Sequence, residues 1–116
     1  MDPIRPDKHL EQLRLRRNQV AFTLSHVEKE RREVEQNTDW LDQASHESRI
    51  ALIDQLSARY IHEIEDIDKA LDRLKNNTYG ICLACHSAIE APRLDSFPEA
   101  AFCSGCQETR EGLQNI

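Results

Sequence analysis

Two stretches of the chain repeat apolar residues at alternating intervals of three and four. The first runs Leu10, Leu13, Arg17, Val20, Leu24, Val27, Arg31, Val34, with six of eight positions apolar. The second runs Ile50, Ile53, Ser57, Tyr60, Ile64, Ile67, Leu71, Leu74, and seven of its eight positions can bury apolar atoms. This is the seam spacing of coiled coils. Paired in reverse order, the two series keep a constant index sum of 84, from Val34 with Ile50 out to Leu10 with Leu74. The pattern predicts an antiparallel hairpin of helices near 7–36 and 40–76, folding back near Asp42. Neither stretch contains an internal Pro or Gly; Pro6 precedes the first, and Asn76, Asn77 and Gly80 follow the second as stop signals. Thirty helical residues extend about 45 Å, so the hairpin is expected to project beyond any small domain at its base. Arg17 and Arg31 interrupt the seam, where their aliphatic stems can cover it while their heads reach solvent. The same stripes also allow two chains to pair as a four-helix bundle, but the short connection favours antiparallel neighbours within one chain.

After residue 76 the periodicity stops and the chemistry changes. Cys82 and Cys85, then Cys103 and Cys106, form two CxxC pairs separated by 17 residues. Zinc takes four soft or borderline ligands in a tetrahedron, and two intervening residues let both thiolates of one turn face the same ion. Four thiolates leave no open coordination position, so the expected ion is structural, one Zn2+ per chain. Its binding contributes on the order of 10 kcal/mol to the folding of a module too small to hold itself together. Turn signals at Gly80, Pro92, Pro98 and Gly105 give the segment the look of a zinc ribbon, and residues 107–113 allow a short terminal helix. Cys82-Leu83-Ala84-Cys85-His86 also matches the CxxCH string for haem attachment, which leaves the second CxxC unexplained. A redox CxxC usually opens a helix within a βαβ unit, and the sequence gives no sign of one.

The fold class read from these patterns is mainly α: a long antiparallel coiled-coil hairpin (1–76, with an acidic tip near 37–46), then a four-cysteine zinc module and short C-terminal helix (77–116). Composition agrees. With 31% charged and 5% aromatic residues in 116, there is little material for a large globular core. No apolar run approaches the length of a membrane span, and the first residues lack the apolar stretch of a secretory signal, so the reading is a cytoplasmic chain. In a reducing compartment clustered cysteines are more often metal ligands than disulfides.

The net charge of −6 is uneven: residues 1–36 carry 8 basic and 7 acidic groups, 37–76 carry 5 and 9, and 77–116 carry 2 and 5. Four thiolates around one divalent ion make the last segment more negative still. Such a surface is poor for phosphate, which argues against direct, sequence-specific DNA binding.

At the fold point stands Asn37-Thr38-Asp39-Trp40-Leu41-Asp42-Gln43-Ala44. Asp39 suits a helix N-cap and Asp42 the third helical position, where carboxylates accept amide hydrogen bonds and meet the positive helix end. Capping does not account for Trp40, the only tryptophan, or for Leu41, at the far end of a rod. Exposed anchors there suggest contact with a partner, the alternative being a local staple against the helix start.

The tip Asp39-x-x-Asp42-x-Ala44, the flanking hairpin, and the run Thr78-Tyr79-Gly80-Ile81-Cys82-Leu83-Ala84-Cys85 through Arg93-Leu94, Pro98 and Cys103-Ser104-Gly105-Cys106 together resemble the DksA/TraR regulators of bacterial RNA polymerase. The resemblance covers residues from about 8 to the end. It implies a non-enzymatic factor that inserts its coiled coil into the polymerase secondary channel and alters open-complex stability, with Asp39, Asp42 and Ala44 as effector residues. Longer members carry an additional N-terminal region that this sequence largely lacks, so docking at the polymerase rim is expected to differ. Basic residues that help bind ppGpp in the family correspond here to Asp66, Phe97 and Gln107, none of which pairs with phosphate as Lys or Arg does; ppGpp synergy is expected to be weak or absent. The usual glycine after the second cysteine is His86. The competing reading is a zinc-ribbon protein–protein adaptor that uses the coiled coil only to dimerise.

Overall fold

The computed structural model describes residues 6–36 and 43–114. Two long helices dominate it, α1 (Pro6–Gln36) and α2 (Gln43–Lys75), followed by the short α3 (Ala91–Ser96) and α4 (Ser104–Gln114). Pro6 opens α1, where a missing N–H removes no helical bond, and Asp7 in the first turn complements the helix dipole. Arg73 and Lys75 lie in the last turn of α2, the end that favours positive charge. The fold point near Asp42 lies outside the described residues, as do Asp39 and Asp42.

α2 ends in a Schellman arrangement. Asn77 adopts φ 60°, the Thr78 N–H donates to the Arg73 carbonyl (2.9 Å), and the Asn77 N–H donates to Leu74 (3.4 Å). Asparagine tolerates the left-handed conformation that this turn demands, which is why the helix stops there.

All sixteen seam positions are buried or half-buried. The direction of pairing follows from the ion pairs between the helices. Arg16 Nη2 meets Glu63 (2.6 Å), Glu30 meets Arg49 (3.9 Å) and Arg31 Nε donates to Asp54 (2.7 Å), so residue 16, early in α1, pairs later in α2 than residues 30 and 31 do. That is the antiparallel coiled-coil hairpin expected from the periodicity.

The chain divides into two compact units, Met1–Leu15 with Asp66–Ile116, and Arg16–Glu65. In the first, Leu13, Ile67, Ala70, Tyr79, Cys82, Ile89, Leu94 and Ala100 form one core, with Leu71, Leu74 and Phe102 packed against it. The second is a two-helix seam centred on Val20, Val34 and Ile53. The sequence division at 76/77 marks the end of helical periodicity; the packing joins the first turns of α1 and the last turns of α2 to the cysteine module.

Two turn signals prove to be helix starts. Pro92 sits in the first turn of α3, where its fixed φ is already helical, and Gly105 lies inside α4. β pairing among the described residues is confined to the isolated antiparallel bridge Ile81–Ala88, so the module is built of turns and two short helices rather than a ribbon of strands.

Candidate metal centre

The first CxxC sits on a tight turn closed by backbone bonds. Ile89 N–H donates to Gly80 (2.8 Å), Cys82 N–H to Ser87 (2.8 Å) and His86 N–H to Cys82 (2.9 Å). The turn requires φ 84° at Gly80 and φ 62° at His86. The second is a left-handed position held by a residue with a Cβ, at a cost of about 1 kcal/mol relative to glycine. The replacement of glycine by histidine at this point thus has a backbone consequence that the sequence does not show.

The second CxxC opens a helix. Cys103 precedes α4 and Cys106 lies in its first turn, while Glu90, from before α3, accepts from the Ser104 N–H at 3.3 and 3.2 Å. Glu90 therefore fills the role of an N-cap carboxylate from 14 residues away. Hydrogen bonds from its own amide and from Ser104 hold its carboxyl below the usual range. Leu83 N–H donates to Ala101 (2.9 Å), tying the first turn to the segment that carries the second.

The surrounding side chains fix this geometry. Tyr79, buried in the core, donates its hydroxyl to the Pro98 carbonyl (2.8 Å), and burial pushes its phenol above the ordinary range. Arg93 Nε donates to Phe102 O (2.9 Å), and Arg73 reaches the Glu99 and Ala100 carbonyls (3.4 Å each). The Arg110 guanidinium lies 4.1 Å from the centroid of the Phe102 ring. His9 is 4% exposed, with Nδ1 at 3.0 Å from Gln12 Oε1 and its ring 5.4 Å from Tyr79.

The sulfurs of Cys82, Cys85, Cys103 and Cys106 all lie within 4.8 Å of one another, with Cys85 and Cys103 at 3.9 Å. Zinc–sulfur bonds of about 2.3 Å at tetrahedral angles set the sulfurs about 3.8 Å apart. The donor set and its spacing therefore fit one tetrahedral zinc. Burial raises the Cys82 thiol, but hydrogen bonds from the Cys85, Cys103 and Ala84 amides more than offset it and bring it down to about 6. Amide and hydroxyl bonds from Ser87 lower Cys85 as well. Cys106, beside the sulfurs of Cys103, Cys82 and Cys85, is pushed up to about 12. Crowded thiols of this kind cannot all lose protons until a cation neutralises them, so zinc binding and proton release are linked.

Of the other candidate residues, Ala44 is exposed in the first turn of α2, whereas Asp39 and Asp42 lie outside the described residues. Asp66 is half-buried on α2, Phe97 is exposed after α3, and Gln107 donates to Glu111 (3.0 Å) within α4.

Residues 77–112 match the prokaryotic dksA/traR C4-type zinc finger. The chain is 33% identical over 94 residues to the RNA polymerase-binding transcription factor DksA of Caulobacter vibrioides, a match covering 81% of this chain and 64% of that protein. It is 37% identical over 73 residues to an uncharacterised protein of Aquifex aeolicus, covering 63% of this chain and 50% of that one. The chain thus spans half to just under two thirds of the length of these relatives. Among solved structures, transcription factor DksA2 of Pseudomonas aeruginosa superposes with a TM-score of 0.85 at 27% identity, covering 96% of this chain and 86% of that one. The RNA polymerase binding protein and transcriptional regulator Dks of Chlamydia trachomatis shares the fold at a TM-score of 0.53 and 21% identity, covering 95% and 94%. Residues 77–112, with their four cysteines gathered for one zinc ion, thus match the dksA/traR C4-type zinc finger, and the chain as a whole is similar to DksA proteins in sequence and fold.

Proposed function

We propose that the protein is a non-enzymatic, cytoplasmic transcription regulator that binds bacterial RNA polymerase through the secondary channel and modulates open-complex stability with its tip. The observation that carries this reading is the TM-score of 0.85 to DksA2 together with the matching C4 finger. The zinc module serves as the base, the two helices as the lever, and Asp39, Asp42 and Ala44 as the effector. Carboxylates brought near a catalytic centre perturb its charged groups and metal ions without any contact to promoter bases. An acidic protein needs no phosphate-binding face for this route, in keeping with its net charge of −6.

The same reading assigns ppGpp a weak or absent part, because Asp66, Phe97 and Gln107 offer no cation to a phosphate. The test is open-complex lifetime on a short-lived promoter with wild-type protein and with Asp39→Asn/Asp42→Asn, each with and without ppGpp. The expected result is a lifetime changed by wild type alone and indifferent to ppGpp. Equal effects of wild type and the tip variant would remove the effector role of the carboxylates, and a large ppGpp-dependent gain that disappears on substitution of Phe97 and Gln107 would contradict the ppGpp assignment.

A further inference from the structure

The seam of Arg16–Glu65 has two cations in it, Arg17 near its start and Arg31 toward the other end of α1. Arg31 occupies a position between Val27 and Val34 where the spacing calls for an apolar side chain, and it is half-buried there. Its Nε donates to Asp54 Oδ1 on α2 at 2.7 Å, and its Nη1 bonds Glu35 on its own helix. One cation thus joins both helices through two carboxylates. The neighbouring layer is also weak: Ser57, the seam residue expected opposite Val27, has a buried hydroxyl with no hydrogen-bond partner. Two successive layers in this segment therefore set one apolar residue, Ile53 or Val27, against a polar one, so neither has an apolar partner to favour one register over another. A strict heptad seam of aliphatic residues can slide or rotate with modest loss, whereas a single polar seam residue with one matched partner penalises every other register at the expense of stability. The half-exposed ion pair adds little stability of its own.

We propose that Arg31 is a positioning residue: its pairing with Asp54 fixes the register of α1 against α2 in the segment leading to the tip, and thereby the placement of the effector carboxylates. The register claim stands on the seam alone; its consequence for transcription rests on the function proposed above. In this account Arg31→Leu fills the seam and makes the protein more heat-stable, yet impairs regulation, an outcome that a purely structural ion pair does not give.

The test uses the zinc-loaded full chain with labelled valine and isoleucine methyls, alongside the open-complex assay. Wild type should show one set of methyl signals with cross-helix contacts from Val34 to Ile50 and Ile53. Arg31→Leu should raise the melting temperature, split or broaden those signals, and reduce regulation several-fold. The exchanged pair Arg31→Asp/Asp54→Arg should restore both readouts relative to either single change. A single unshifted register in Arg31→Leu, or a lowered melting temperature, overturns the lock. A split register with regulation unchanged overturns the positioning role. If wild type itself leaves transcription unaltered, the proposed function fails, while the methyl signals still decide the register.

Discussion

The two compact units are stabilised differently. In Met1–Leu15 with Asp66–Ile116, side chains from α1, α2, the first cysteine turn, α3 and the loop after it meet in one core, where Leu13, Ile67, Ala70, Cys82 and Leu94 are fully buried. In Arg16–Glu65 only two helices meet; its best-buried apolar residues, Val20, Ile53 and Val34, keep 5%, 5% and 7% exposure, and Phe22 and Leu52 stand more than half exposed. A core closed on all sides and linked to a metal can carry most of the stability. A two-layer seam can carry a long lever, but its stability depends on each layer separately. The chain thus holds its multi-element core in one unit and a seam of only two helices in the other.

The largest test of that contrast is removal of the metal. Chelation, or Cys82→Ser, should melt the cysteine module and the core around it, with loss of a contribution on the order of 10 kcal/mol, while much of the α-helical signal of Arg16–Glu65 remains. Metal analysis before and after, with circular dichroism, reads the result; a complete loss of helix in one step would erase the distinction between the units. Protons should compete with zinc. Amide hydrogen bonds bring Cys82 down to about 6 and favour its thiolate, whereas the neighbouring sulfurs push Cys106 up to about 12 and favour its protonated form in the absence of metal. The depressed Cys82 thiol adds stability above its unfolded pKa that is lost as pH falls through about 6; the raised Cys106 thiol acts oppositely, its contribution lost only as pH rises toward about 12. Zinc affinity should therefore fall as pH drops, and calorimetry in buffers of different ionisation enthalpy should show net proton release on binding at pH 7.5.

Truncations sharpen the comparison at smaller scale. Leu13→Ala and Leu94→Ala, both fully buried, should cost about 2–5 kcal/mol in denaturant unfolding. Val34→Ala in the seam should cost about 1–2 kcal/mol, the transfer energy of two carbon atoms at a site able to relax. Equal costs in the two units would mean that the seam is packed like the core. The smallest expected effect is a gain: His86→Gly relieves the residue at φ 62° and should stabilise the zinc-loaded protein by about 1 kcal/mol, read as a raised melting temperature with unchanged metal content.

The long helices were legible because coiled-coil pairing writes itself into sequence at fixed intervals: every seam position from Leu10 to Leu74 is at least half-buried. The zinc ligands were legible for a similar reason, since tetrahedral thiolate sites leave a spacing signature. What escaped depended on partners distant in sequence. α4 begins at Ser104 because Glu90 holds its amide from 14 residues away, so Gly105 reads locally as a turn. α3 was obscured by Pro92, which opens helices as readily as it ends them. His9 follows no apolar pattern, yet it is buried against Tyr79 from the far side of the chain; its place one residue before Leu10 on the seam was the available signal. The Arg31–Asp54 contact falls within one position of the predicted pairing, but its bond to Asp54 rather than to solvent needed coordinates.

The central claim, that this hairpin is a polymerase-channel lever on a zinc-held base, is tested most directly by binding. Zinc-loaded protein should bind bacterial RNA polymerase, and an unrelated secondary-channel factor should displace it, with Asp39→Asn/Asp42→Asn bound nearly as well because the proposed function has the tip act after docking. Absence of binding well above the concentrations at which the competitor occupies the channel, or binding that the competitor leaves untouched, would contradict the account and leave a zinc-based protein adaptor in its place.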